Sequence, residues 1–545
     1  MGTHNITCHF CSMQDMFGLS GERSFESVHF GVQNLVRPHY FSQKRICPRG
    51  NFCVELVQHA KRTAYPKVGE DTVKTAEAFE FIKSRLAEVD KTKTAFFLSG
   101  SLTLEETYAV AKLAQKWGTR WVSLIYPEDY VVASFKNNFD LQSLAKSKII
   151  VSIGDLFSLH PTIAKFVHDA RFAERKNFLA VIDNARSRTS WFAWSFLGAK
   201  PGRVADVVEA LAKAVLGQEY SIDGTGVDKG AFETLAESLR NTDEVAILFA
   251  PGAGRFAEPL RIGYWAEKLA LERNFGFCAF GTGANGRGIA RLLTTFGFAH
   301  ISETVNAVAE GRADAVFCLG CDPVEAFPKI YGGFSDAKLK VAVASLPTSV
   351  AQMADVLIPE KHLFEKTGSL LSLSEDVYQM QDCYPVPDYP GSGGLVEKLL
   401  DSEGESAQTN LDEIKLKLDE FNFIEEAPQA AGSPEAEIFA VGYYAPHHHG
   451  DGSLTRRASW VIRTIGDRDN AVLIGPALAE KLGIKKYDPI TVRTDGGEGE
   501  FYAVIQEDLG ENVVMVPMYM PQGRSLMGWR DVAGFVPVSA KVSKA

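Results

Sequence analysis

From about residue 75 to residue 360 the chain alternates two kinds of segment. Strand-and-loop stretches at 94–101, 121–125, 148–155, 178–183, 245–254, 315–323, 339–345 and 356–359 are apolar at nearly every strand position. Between them, 75–89, 104–117, 161–175 and 256–273 place apolar residues three and four apart. A strand apolar on both sides is covered on both faces, and amphipathic helices are what cover it. The pattern predicts two doubly wound parallel α/β units, one over 66–240 and one over 241–384.

At each end the pattern changes. Residues 27–38 alternate weakly around Gly31 and read as short strands joined by turns, and 52–62 as a helix ending before Pro66, so 1–65 forms a small separate domain. Proline, glycine and acidic residues dominate 384–434, which reads as a connection over 385–440 with one helix at 410–421. Beyond it, strands at 470–475, 489–494, 499–505, 513–517 and 535–538 flank a helix at 477–482. The turn Asp495-Gly496-Gly497-Glu498 is a strong hairpin signal, and 441–545 reads as a six-stranded β-barrel.

Composition narrows the function. The 545 residues are 46% hydrophobic and 23% charged, ordinary for a globular chain large enough for several cores. A formal net charge of −11 argues against nucleic-acid binding, which calls for a basic face. Neither a leader-like N-terminus, nor a twin-arginine motif, nor an apolar run long enough to span a membrane is found, so the expectation is a cytoplasmic protein with no span. Eight cysteines, four of them before residue 54, suit metal or redox chemistry better than a disulfide framework.

Cys8 and Cys11 are spaced for one metal centre, and Cys47 returns after a long excursion. Soft, charged thiolates hold iron–sulfur clusters, and a [4Fe-4S] cube takes four ligands. Asp15 stands where a fourth is expected, with Cys53 as the alternative thiolate. A zinc site, or simply four buried thiols, are the other readings. The run Gly281 to Gly288 fits G-x-G-x-x-G, with Gly283 and Gly286 as candidate phosphate-cradling positions, but no acidic residue follows at a strand end, so a dinucleotide fingerprint is disfavoured. Cys318-x-x-Cys321 reads as small residues packed at a strand-to-loop junction, and His447-His448-His449 as a loop or interface element.

In this order the motifs resemble the molybdopterin oxidoreductase superfamily, which includes formate dehydrogenase alpha chains and a large iron–sulfur subunit of NADH:quinone oxidoreductase. The resemblance rests on Cys8-x2-Cys11-x3-Asp15 with Ile46-Cys47-Pro48-Arg49-Gly50, on Gly154-Asp155 with His160-Pro161, and on Ile182-Asp183-Asn184-Ala185-Arg186. It rests also on Ala354 to Pro359 with Phe364-Glu365-Lys366-Thr367-Gly368, and on Thr455-Arg456-Arg457. It implies a cluster held by Cys8, Cys11, Cys47 and Asp15, with Arg49 between cluster and pterin and Gly154, Asp155 and Asp183 at a pterin site. It further implies molybdopterin guanine dinucleotide with molybdenum or tungsten, and iron–sulfur or flavin partner subunits. Catalytic members take their metal ligand from a segment matching 121–135, which holds no cysteine here, only Ser123 and Ser134 outside any motif. Ser374-Glu375-Asp376 also replaces an expected Asn-Gly-Arg. The expected function is electron transfer within a redox complex; the alternatives are an active molybdenum or tungsten enzyme such as a formate dehydrogenase, and a non-catalytic scaffold.

Overall fold

The computed structural model describes residues 3–20, 38–40, 46–386, 388–432, 436–458, 469–531 and 533–545. Of the short strands expected over 27–38, all but residue 38 lie outside the described residues.

Two parallel sheets form the centre. The first has the order Asp71–Thr72, Lys67–Val68, Val356–Pro359, Leu339–Ala344, Ala315–Leu319, Thr94–Leu98, Val122–Leu124. Its five strands from Val356–Pro359 to Val122–Leu124 run parallel. The second has the order Ser195–Gly198, Phe178–Asp183, Ile149–Ile153, Val245–Phe249, Gly276–Ala279, parallel throughout. Every residue of Thr94–Leu98, Ile149–Ile153, Val245–Phe249 and Ala315–Leu319 is buried, as their unbroken apolar character requires. Each fully buried Val, Leu, Ile or Phe contributes about 1.5–3 kcal/mol, which fixes these strands at the sheet centres.

The sheets do not follow one another along the chain. The chain leaves the first sheet after Val122–Leu124, builds all of the second, and returns to the first at Ala315–Leu319. A division at 240/241 therefore cuts through the second sheet. Hydrophobic periodicity reports that a strand is buried, not which sheet buries it.

The ends dock onto this centre. Thr3–Thr7 and Met16–Ser20 form a hairpin whose loop, from Cys8 to Asp15, is closed by the Cys8 amide donating to the Asp15 carbonyl at 2.9 Å. The helix Pro48–Gln58 starts directly after Cys47, with proline in its first turn where no amide partner is needed. Ile6, Phe10, Phe17, Cys53 and Leu56 pack with Leu346, Phe364 and Tyr384 of the central part. The connecting region holds two helices, Gly391–Ser402 and Leu411–Asp419, rather than one. Its Gly-Ser opening masks an apolar stripe, Leu395, Val396, Leu399 and Leu400, all buried.

Among the described residues the C-terminal sheet has seven strands rather than six, in the order Val538–Ser539, Phe439–Tyr443, Val513–Pro517, Ala471–Ile474, Gly497–Ile505, Pro489–Thr494, Lys541–Lys544. Among the described residues it is a half-barrel sheet and not a closed barrel. Its hairpin pairs Thr494 with Gly497 across Asp495-Gly496, the predicted turn.

Candidate active site

Ligands of open α/β sheets sit beyond the carboxyl ends of the strands, and here those ends meet under the C-terminal sheet. Loops leaving the first sheet, Ser99-Gly100-Ser101, Ile125-Tyr126 and Gly320-Cys321, line a narrow cavity of about 380 Å³. His9 and Phe10 of the N-terminal hairpin and His449 and Asp451 of the C-terminal part complete its wall. A contiguous cavity of about 350 Å³ extends it to Ser345, Thr348, Glu360 and His362. Beside the second sheet lies a cleft of about 630 Å³, where Asp155, Ser158, Arg186 and Arg188 face Tyr443, Tyr444 and Gln506.

The two sets of loops touch where Gly100 meets Gly283. A Cβ on either glycine would lie 2.6 Å from the other's Cα, and the Asn285 amide donates to the Gly100 carbonyl at 2.7 Å. Gly154, at φ +96°, turns the chain out of its strand so that Asp155 reaches the second cleft; a Cβ there would stand 2.4 Å from the Ala250 carbonyl oxygen. Thr189 Oγ1 donates to Asp155 at 2.9 Å.

Asp183 faces inward. Arg255 Nε and Nη2 donate to its two oxygens at 2.8 and 2.7 Å, and the Asn184 amide donates at 2.8 Å. The Asp183 side chain is fully buried and that of Arg255 is 3% exposed. The Gly-rich loop likewise holds an internal carboxyl group, which burial and then Glu128 push well above the usual carboxylate range. Asp129 accepts from the amides of Thr282 and Gly283 at 2.5 and 2.9 Å, and a Cβ on Gly286 would lie 1.8 Å from its carboxylate. Gly283 still lines the cavity, but its amide and that of Thr282 are taken. Sequence reasoning missed Asp129, in the short helix Pro127–Ala133, and Arg255, in the loop after strand Val245–Phe249, because their partners lie far away along the chain.

Cys8, Cys11 and Cys47 are buried and unbridged. They lie close enough that thiolate charge on Cys11 and Cys47 raises Cys8, although burial is the larger cause. Burial pushes Cys11 up to about 12 against the pull of Arg49. Asp15 accepts a hydrogen bond from Thr162 Oγ1 at 2.6 Å, and Cys53 sits in the hydrophobic cluster of the helix. Among the described residues no group of three or more His, Cys, Asp and Glu side chains converges in metal-binding geometry. Arg49, 2% exposed, donates to the carbonyls of Leu159 and His448, linking the thiol loop to the two flanks of the cavities.

Of the three histidines, His448 is clamped by Thr455 and Asp469, while His449 reaches the first cavity and hydrogen-bonds through Nε2 to the Thr282 carbonyl at 2.8 Å. That partner accepts, so Nε2 donates and Nδ1 is the free lone pair. Burial and then Arg49 hold His449 down to about 3. The unfolded chain binds a proton there below about pH 6.5 that the folded chain refuses, so stability is lost as pH falls. His449→Gln is expected to flatten the loss between pH 7 and pH 5 by about 2 kcal/mol, read from urea midpoints at both pH values.

Residues 73–387 match the molybdopterin oxidoreductase family, and residues 444–534 match the molybdopterin dinucleotide binding domain. The chain belongs to the molybdopterin oxidoreductase family. Relatives include the "F420-dependent formate dehydrogenase 1 subunit alpha" of Methanococcus maripaludis, 20% identical with 90% of this chain and 91% of the relative covered. The corresponding formate dehydrogenase 2 subunit alpha is 21% identical, covering 88% and 90%. Acetylene hydratase from Pelobacter acetylenicus shares the fold, with a TM-score of 0.74, 13% identity, and 99% of this chain and 100% of that chain covered.

The match to the molybdopterin dinucleotide binding domain supports a molybdopterin cofactor, and the extended cavity leaves polar atoms for a ligand to pair. Among the described residues His362 Nε2 and Thr348 Oγ1, on residues 1% and 4% exposed, line the extended cavity without a hydrogen-bond partner. Buried polar atoms left unpaired cost about 1–3 kcal/mol each, a cost that a polar ligand removes. Among the described residues no helix is long and apolar enough to cross a membrane.

Proposed function

We propose that the chain is a pterin-carrying iron–sulfur subunit that passes electrons within a multi-subunit redox complex. The observation that carries this reading is the position of Arg49: its backbone follows Cys47, its charge acts on Cys11, and its guanidinium reaches Leu159 and His448 beside the cavities. A buried cation between two electron carriers offsets the negative charge that each brings into a low-dielectric site.

In this reading Cys8, Cys11 and Cys47 hold the cluster and Asp15, released from Thr162, supplies the oxygen corner. His362, Thr348 and Ser345 hold one pterin dinucleotide, and Asp155, Ser158 and Arg186 face a second. The bound pterin supplies a redox-active ring. The related formate dehydrogenase chains are named as alpha subunits, which supports assembly with partners. An exposed strip of Phe172, Trp191 and Trp194, 73%, 54% and 60% accessible, with Arg171 over Phe172 and Arg188 over Trp191, gives such a partner a surface to cover.

Iron analysis and electron paramagnetic resonance of the anaerobically purified protein test the cluster. About four irons per chain, lost in Cys47→Ala without loss of pterin, are expected; a wild-type protein with pterin but no iron contradicts the electron-transfer role.

A further inference from the structure

Whether a metal also fits between the two pterin sites is decided by the segment 121–135 at the end of strand Val122–Leu124. Each of its polar side chains but one is committed elsewhere. Ser123 Oγ is paired with Thr304 at 2.7 Å, and Ser134 Oγ donates to the Tyr130 carbonyl at 3.0 Å. The Tyr130 hydroxyl accepts from the Leu124 amide at 2.9 Å, Glu128 accepts from Thr282 Oγ1 at 2.7 Å, and Asp129 fills the Gly-rich loop. Only Tyr126 presents a polar side chain to the cavity.

Tyr126 is wedged there. A Cβ on Gly450 would lie 2.6 Å from its Cε1 and 2.7 Å from its hydroxyl, and one on Gly100 would lie 3.0 Å from its Cδ2. Two glycines, one from each flanking loop, thus make room for one aromatic ring at the contact between the two halves of the site. His449 packs on its edge, with ring centroids 5.8 Å apart. The ring is no ready oxygen ligand: burial first, and Asp451 next to it, keep the phenol protonated. Cys321, the only sulfur among the described residues of the wall, donates its own S–H to the Phe97 carbonyl at 3.3 Å. Among the described residues the wall offers single donors, His449 Nδ1 and the Asp451 carboxylate, but no group of three that converges on a metal.

We propose that Tyr126 occupies the junction between the pterin sites, so that this chain binds the dinucleotide without molybdenum or tungsten and offers a neutral phenolic donor in the metal's place. The inference rests on the pterin-carrying reading above, and one preparation separates their failures. Pterin, molybdenum and tungsten are quantified together in the full-length protein purified with its partner subunits. Pterin with far substoichiometric metal is expected; molybdenum or tungsten equal to pterin overturns the inference and leaves the pterin reading intact.

A second measurement does not need the cofactor. Cys321 shares the cavity wall with Tyr126, so its alkylation by iodoacetamide, read by mass spectrometry of the cofactor-free chain, reports whether the ring fills the junction. Tyr126→Ala is expected to speed alkylation by about tenfold, because reaction follows access to the thiol. Tyr126→Phe, which keeps the ring, is expected to match the wild type. Equal rates in all three proteins, or a Phe variant as reactive as the Ala variant, overturn the inference.

Discussion

Replacing Asp183 with alanine is expected to lower the unfolding free energy by about 3–5 kcal/mol, the cost of leaving a buried charge without its partner. Arg255 is 3% exposed and has no water to turn to, so its charge stays where the carboxylate was. Among the described residues it keeps hydrogen bonds to the carbonyls of Ala185 and Gly442, and Asp155 lies near enough to act on its charge. Those soften the loss without neutralising the cation. Replacing both residues, as Asp183→Leu with Arg255→Met, is expected to recover much of the stability, since a buried ion pair is worth little more than an apolar pair of similar volume. Urea unfolding checks both. A loss below about 1 kcal/mol in Asp183→Ala would mean that the carboxylate is free for a ligand, as its place at a strand end suggests.

Asp129→Ala is expected to cost about 2–4 kcal/mol, because the amides of Thr282 and Gly283 lose their acceptor inside the protein. The emptied loop then has two converging N–H groups and the glycines that let an anion approach, so sulfate is expected to raise the variant's melting temperature more than the wild type's. Equal sulfate response in the two proteins contradicts the assignment of Asp129 as the loop's occupant.

These two carboxylates show what the sequence could reveal. The strands around Ile149–Ile153 and Ala315–Leu319 were legible because complete burial demands unbroken apolar runs. Their sorting into two interleaved sheets was not, since it depends on pairing between strands such as Thr94–Leu98 and Ala315–Leu319, more than two hundred residues apart. The G-x-G-x-x-G pattern offered Gly283 and Gly286 as phosphate-cradling positions, and in the structure a carboxyl group stands against both. It could not show that the group approaching is Asp129, 154 positions before Gly283.

The Phe364-Glu365-Lys366 segment has a plain structural reason that also needed coordinates. Phe364 packs in the N-terminal core, Arg62 donates to both oxygens of Glu365, and Lys366 lies between Glu106 and Glu360 at 3.0 and 3.3 Å. The three residues therefore fasten the cysteine-bearing domain to the first sheet. Spacing singled out Cys8, Cys11 and Cys47, which the structure buries, whereas the hydrogen bond from Thr162 to Asp15 had no signal in the sequence.

In the proposed function each of the two sites beneath the C-terminal sheet, the extended cavity and the Asp155 cleft, takes a pterin dinucleotide. The most direct test is acid extraction of the anaerobically purified full-length protein, with oxidised pterin read by fluorescence and guanine nucleotide by chromatography. The account predicts both, in equal amounts and at least one per chain. A protein that retains its fold and its iron but yields neither contradicts it.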